Sequence, residues 1–200
     1  MRSKRTSFTL AHTHAMAKSI GQSDIEAALR PLTLCAYEAL GDPDAAARPG
    51  ALKDGERDYR VAGVFLITPD RRYNMLIANH GFPAEQKRLA IPIDWNHPGE
   101  VVRTRTSILL ENTDEHRAFR QFLKTSRMGS SIYAPILTGS AMIGQIVAAA
   151  QARWTYNATD LARLERLAMS AARLWQSMKG ADWLAQAYPA ADLWRAETHV

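Results

Sequence analysis

SIYAPILTGSAMIGQIVAAAQARWTYNATDLARLERLAMSAARLWQSM, residues 131–178, reads as two strands and a helix, and that order decides the fold. Residues 131–137 and 141–150 are strand-like, and Thr138-Gly139-Ser140 supplies a glycine turn between them, so they pair as a hairpin. Asn157 then caps a helix, with Asp160 at its third position. Leu161, Leu164, Leu167/Ala168, Ala171, Leu174/Trp175 and Met178 follow at the i, i+3/i+4 spacing of one buried stripe. Gly180 suits the position just beyond the helix end.

Upstream, residues 59–67 carry apolar side chains on both faces, as expected of a strand inside a sheet and covered on both sides. Pro69-Asp70 turns the chain, and residues 73–79 return as the second half of a hairpin. A connection through Gly81-Phe82-Pro83 runs to Ile91-Pro92-Ile93. The pattern then predicts a short helix near 98–104, a strand at 107–110 and a helix over 114–124 with Phe119, Phe122 and Leu123 inward. Ser23 and Glu26 read as a capping box that starts a helix reaching Leu40. Pro31 either kinks this helix or opens a second one, and Gly41 ends it. Residues 41–58, with Asp-Pro, Pro-Gly and Asp-Gly pairs, read as an exposed loop. Strands paired as hairpins between long helices give an α+β domain, with an antiparallel sheet and the terminal helices on one face.

Two hundred residues, 46% apolar, suffice for one core without disulfides or a metal. The same balance excludes a disordered chain. The longest apolar run, 61–67, is far below the ~20 residues of a membrane span. Arg2, Lys4 and Arg5 supply three of the five net positive charges, so no basic stripe for nucleic acid stands out. The single cysteine, Cys35, cannot close an internal disulfide and ties the chain to no oxidising compartment, so a cytoplasmic location is expected. Residues 1–22 read as a basic, frayed extension, with His12, Thr13 and His14 interrupting any signal-peptide core. Residues 180–200 place Trp183, Leu184, Tyr188, Leu193 and Trp194 beyond the domain of residues 23–179. Burying one such aromatic stabilises by ~2–3 kcal/mol, so the tail is expected to pack on the domain or on a second subunit.

VAGVFLI, NHGF, IPI, EVVRTRTSILLEN, SSIYAPIL, MIGQIVAAA and WTYNATDLARLERLA stand in the order of a GAF domain, and the chain resembles that family from about residue 23 to 178. The resemblance implies a sheet of five or six strands, terminal helices on one face, and a small-molecule pocket under the middle segments on the other. Asn96 stands where many such domains carry a glycine, and asparagine tolerates the left-handed backbone. Arg105 stands at another such glycine, where the loop is expected to be rebuilt. The resemblance leaves the ligand and any cofactor open. It argues against bilin attachment, because the single cysteine lies in the first helix rather than beside the pocket, and against the methionine-sulfoxide reductase branch, because one cysteine cannot run a thiol exchange. Residues 151–160 also lack the Asn-Lys and Asp-Glu elements of cyclic-nucleotide relatives.

Under the pocket reading, Trp95 and His97 close over a ligand from the middle connection; otherwise Trp95 caps the core edge and His97 is solvated. Glu111 and Asn112 follow the third strand, where similar domains place polar contacts, although Asn112 is also a good helix cap. Alternation puts Ser131 and Tyr133 on one face of their strand. If Ile132, Ala134 and Ile136 meet the helices, Tyr133 faces the pocket. Phe119 is a core residue or a ligand contact. His12 and His14 make too thin a set for a metal, and no catalytic motif is present. The leading functional reading is a non-catalytic small-molecule sensor that acts through a signalling partner protein or a homodimer. The alternative is a dimerisation scaffold with a closed pocket. An enzyme of unfamiliar chemistry ranks below both, and nucleic-acid binding last.

Overall fold

A computed structural model describes residues 7–198 of the chain. Residues 1–6, with Arg2, Lys4 and Arg5, fall outside the described residues, as do 199 and 200. The order is α1 (Phe8–Ser19), α2 (Ile25–Ala39), β1 (Arg60–Ile67), β2 (Tyr73–His80), β3 (Leu89–Pro92), α3 (Asn96–Thr104), β4 (Ile108–Leu110), β5 (Ser130–Thr138), β6 (Ala141–Ala150), α4 (Ala158–Ser177), α5 (Gly180–Ala187) and β7 (Trp194–Arg195). Among the described residues seven strands form one sheet, in the order β4-β5-β6-β1-β2-β3-β7. All neighbours pair antiparallel except β3 and β7, which run parallel.

The doubly apolar β1 does sit in the middle, between β6 and β2. Its Ala62, Val64 and Leu66 pack with Ala28, Leu29 and Leu32 of α2 and with Leu164, Leu167 and Ala171 of α4. Phe65 and Ile67 point to the opposite face, where they meet Leu76, Leu89, Val101 and Tyr133. Alternation across the sheet thus builds two cores. No helix among the described residues is long and apolar enough to cross a membrane.

Four local expectations are corrected. The sheet has seven strands rather than five or six, because Trp194 and Arg195 of the C-terminal segment pair with Leu89 and Ala90. Residues 8–19, read as part of a frayed extension, form α1: Phe8 and Ala15 are buried in the helix-side core, and His12 Nε2 lies 2.8 Å from Ser170 Oγ of α4. The cap of α2 is Asp24, whose carboxylate accepts from Ala27 N at 2.8 Å; Glu26 instead pairs with Arg30 and Arg88. Pro31 lies inside α2. At the end of α4 the left-handed residue is Lys179, with φ of 50°. Gly180 starts α5, and a β-carbon there would lie 2.2 Å from Trp175 Cε3. Close packing, not backbone freedom, asks for that glycine.

The capping box of α4 is present, with Asn157 Oδ1 accepting from Asp160 N and Asp160 Oδ2 accepting from Asn157 N. Asn96 is left-handed, with φ of 46°. Arg105 is left-handed too, with φ of 57°, so the turn that a glycine usually makes is kept rather than rebuilt. Its guanidinium donates to Ser140 O at 2.8 Å.

The C-terminal segment packs on the domain. Leu184 is buried against the helix-side core, Ala196 is buried beside β3, and Tyr73 Oη donates to Glu197. Tyr188 Oη donates to Asp70 Oδ2 at 2.9 Å.

Candidate functional site

The face of β1, β2, β5 and β6 opposite α2 and α4 is roofed by α3 and by residues 111–127. Between roof and sheet lies a cavity of about 60 Å³. Val61, Phe65, Phe82, Phe119, Phe122, Leu123, Met128, Tyr133, Val147 and Ala149 give it an apolar wall. Alternation explains the floor. Val61 and Phe65 lie opposite Ala149 and Gln145 in the ladder, so one face of the central strands supplies them all.

The roof differs from its sequence reading. Residues 114–124 were expected to form a helix; only the single turn Thr113–Glu115 does. Two glutamine side chains hold the rest of the backbone. Buried Gln86 donates from Nε2 to Phe122 O at 2.8 Å and accepts from Lys124 N at 2.8 Å. Gln121 accepts from Met128 N at 3.1 Å and donates to Leu123 O at 3.1 Å. These bonds meet the backbone demand that helix formation would otherwise satisfy. Phe119, Phe122 and Leu123 still point inward. The ends of the roof are fastened by Thr113 Oγ1 donating to Met128 O and by the buried Arg153, which pairs with Glu56 and Asp114.

Trp95 stacks on Phe122, with ring centroids 6.1 Å apart, and the Arg120 guanidinium lies 4.1 Å from the centre of its indole. It therefore braces the roof from outside the cavity wall. His97 is only 7% exposed and is surrounded by rings: His116 at 5.9 Å, Phe119 at 6.0 Å and Tyr133 at 6.4 Å. Burial pushes its pKa down, so it is held as a neutral imidazole. It opens toward an outer hollow with Arg71, Asn96 and Arg103. Tyr133 and Phe119 line the cavity itself. Burial raises the Tyr133 pKa, with the neighbouring Ser131 hydroxyl acting the other way. Ser131 is buried on the same face, and its hydroxyl finds no hydrogen bond of good geometry among the described residues.

Glu111 and Asn112 are not brought to the cavity. Glu111 lines a separate surface hollow with Asp42, Arg48 and Trp154, and its carbonyl accepts from Trp154 N at 2.6 Å. Asn112 is a cap: its side chain accepts from Asp114 N at 3.1 Å and donates to Glu115 Oε1 at 2.9 Å. Both residues follow β4 where the chain leaves the sheet, beyond the strands that carry the floor.

Gln145, which lines the cavity, and Asn74, bonded to it, escaped the sequence reading. Gln145 is fully buried on β6, and Nε2 donates to Asn74 Oδ1 at 3.2 Å and to Pro98 O of α3 at 3.1 Å. Asn74 on β2 is fully buried as well. Gln145 Oε1 and Asn74 Nδ2 have no partner among the described residues. An unpaired buried polar group costs about 1–3 kcal/mol, so an acceptor and a donor are held beside an apolar cavity at some expense to stability. A glutamine and an asparagine inside otherwise apolar interior strands were the available signal.

Among the described residues no group of three or more His, Cys, Asp or Glu side chains is placed to hold a metal. Cys35 is buried on α2, on the opposite side of the sheet, and burial pushes its thiol up to about 11. The cavity has less than half the roughly 150 Å³ of an engineered cavity that takes up benzene.

The family model described as GAF domain matches residues 24–175. No protein of curated function matches the chain in sequence. Several solved structures share its fold. The GAF domain from an Acinetobacter phosphoenolpyruvate-protein phosphotransferase is 13% identical with a TM-score of 0.65, covering 93% of this chain and 98% of that one. The free methionine-R-sulfoxide reductase from Neisseria meningitidis, in complex with its substrate, is 16% identical with a TM-score of 0.68, covering 90% and 95%. A GAF sensor protein from Burkholderia vietnamiensis, described as putative, is 15% identical with a TM-score of 0.65, covering 86% and 96%.

Proposed function

The chain belongs to the GAF domain family, and from that premise we propose that it is a non-catalytic, small-molecule-binding sensory domain acting through a partner protein or a homodimer. The observation that carries the reading is Gln145, which lines the apolar cavity and whose Oε1 has no hydrogen-bond partner among the described residues, with the Nδ2 of its bonded neighbour Asn74 likewise unpaired there. Such a site suits a small, uncharged, largely apolar ligand with one hydrogen-bonding end. The amides would orient that end, and Phe119, Phe122 and Tyr133 would enclose the rest. His97 and Trp95 support the walls, and Ser131 offers a further hydroxyl on the same face. A neighbour of similar fold holds its substrate in a complex, which supports ligand binding on this scaffold. The position of Cys35, across the sheet with a raised pKa, argues against reductase chemistry here.

Ligand binding would order the segment 111–127, and the partner would read that change. Native mass spectrometry of the purified chain tests the proposal, followed by thermal shift against a panel of uncharged aromatic and aliphatic metabolites. A bound mass or a ligand-dependent rise in melting temperature is expected, and Gln145→Leu abolishes it. A chain that carries no adduct and is stabilised by no member of the panel overturns the reading. The small cavity would then favour the second reading, a dimerisation module with a closed pocket.

A further inference from the structure

The groove between α1 and α4, on the face of the molecule away from the cavity, carries a different surface. Phe8, His12 and Thr13 line it from one side, and Arg166, Met169 and Arg173 from the other. The bond between His12 Nε2 and Ser170 Oγ closes its floor. Met169 is 59% exposed. Arg166 and Arg173 are exposed and make no ion pair among the described residues. They lie seven residues apart on one helix, hence about 10.5 Å along its axis. The α1 helix has His12, His14 and Lys18 and no acidic residue, and α4 has only Asp160, used in its capping box, and Glu165.

We infer that this groove receives an acidic, amphipathic helix of a partner protein, with an apolar side chain on Met169 and carboxylates on Arg166 and Arg173. Charge complementarity selects the occupant. A second copy placed across a twofold axis would set arginines of like charge against each other around Met169, at a cost in association. Nucleic acid would find two cations separated by an exposed methionine rather than a continuous basic stripe. The inference stands whether or not the cavity binds a ligand, because it rests on the opposite face.

The test is fluorescence anisotropy with the full chain. The probe is a labelled helix-forming peptide of about five turns, with leucines on one stripe and glutamates seven residues apart beside it. A matched peptide with lysines in place of the glutamates and a labelled DNA duplex are the controls. The acidic peptide is expected to bind, more weakly as salt rises. The double variant Arg166→Glu, Arg173→Glu should lose about tenfold or more in affinity for it and gain binding of the lysine peptide. Both side chains are exposed, so the variant should keep the melting temperature of the parent. Three results overturn the inference: equal binding of both peptides, preferred binding of the duplex, or a homodimer in light scattering that the same reversal dissociates.

Discussion

Arg153 Nε donates to Asp114 Oδ2 at 3.0 Å, and through that bond the chain just after β6 holds one end of the cavity roof. The same guanidinium pairs with Glu56, while Lys53 and Arg127 meet Asp114 at 2.6 and 3.2 Å. Removing the arginine leaves the buried Glu56 carboxylate without its counter-charge, still accepting from Lys53 N at 2.8 Å. Arg153→Met should therefore destabilise the fold by about 3–5 kcal/mol, read from urea unfolding. Asp114→Asn should cost less and act locally, with faster amide exchange over residues 116–127. Equal exchange in both proteins would show that the glutamine bonds alone hold the roof.

Three histidines set the response to acid. Burial pushes the pKa values of His12, His80 and His97 down. The unfolded chain, with histidine near 6.5, therefore takes up protons first as pH falls. Their stabilisation is complete above about pH 6.5 and is lost progressively below it, toward the lower folded values. Urea midpoints should fall between about pH 7.5 and pH 5. His97→Phe, which keeps a ring among Phe119, Tyr133 and His116, should flatten that dependence. A profile unchanged by the substitution would assign the loss to other groups.

Lys179 and Gly180 are predicted to respond in opposite directions. Lys179 is left-handed with φ of 50°, so Lys179→Gly should relieve backbone strain worth about 1–2 kcal/mol. Gly180→Ala places a β-carbon 2.2 Å from Trp175 Cε3, and overpacking of that kind costs about 1–3 kcal/mol. Chemical denaturation of the two variants checks both signs. A stabilised Gly180→Ala would mean that α5 does not dock on Trp175 in solution.

The amide pair of Gln145 and Asn74 offers a test that separates stability from binding. Asn74→Leu with Gln145→Met removes both unpaired groups and keeps the volume, so the double variant should be as stable as the parent or about 1 kcal/mol more stable. It should also lose any ligand that stabilises the parent. Unfolding curves and thermal shift on the same samples read the two effects.

Local patterns carried the parts of the fold that local interactions determine. The stripe of α4 and its Asn157 cap, the β5–β6 hairpin and the doubly apolar β1 could all be read from spacing. The roof could not. Phe119, Phe122 and Leu123 mimic a helix stripe, but Gln86, distant in sequence, supplies the bonds that keep the segment open. The α1 helix was hidden for a similar reason. Its apolar residues fall on no single stripe, and its order comes from Phe8 and Ala15 in the core and from His12 on Ser170. For the site, alternation placed Tyr133 correctly, because a strand's face follows from its register. Glu111 and Asn112 lie past a strand end, where period no longer fixes direction. Gln145 and Asn74 escaped notice because a polar residue in a strand is normally read as its solvent side, and here both sides are covered.

The lengths of the strands bear on how the molecule behaves in a crowded solution. Its long strands, of eight to ten residues, all lie inside the sheet, and the borders are β4 with three residues and β7 with two. A border that short presents almost no free ladder to an incoming chain, which protects against edge-to-edge aggregation. On the β3 side that protection comes from the last described residues, so trimming the C-terminus should uncover β3 and leave a protein that gels or precipitates on concentration.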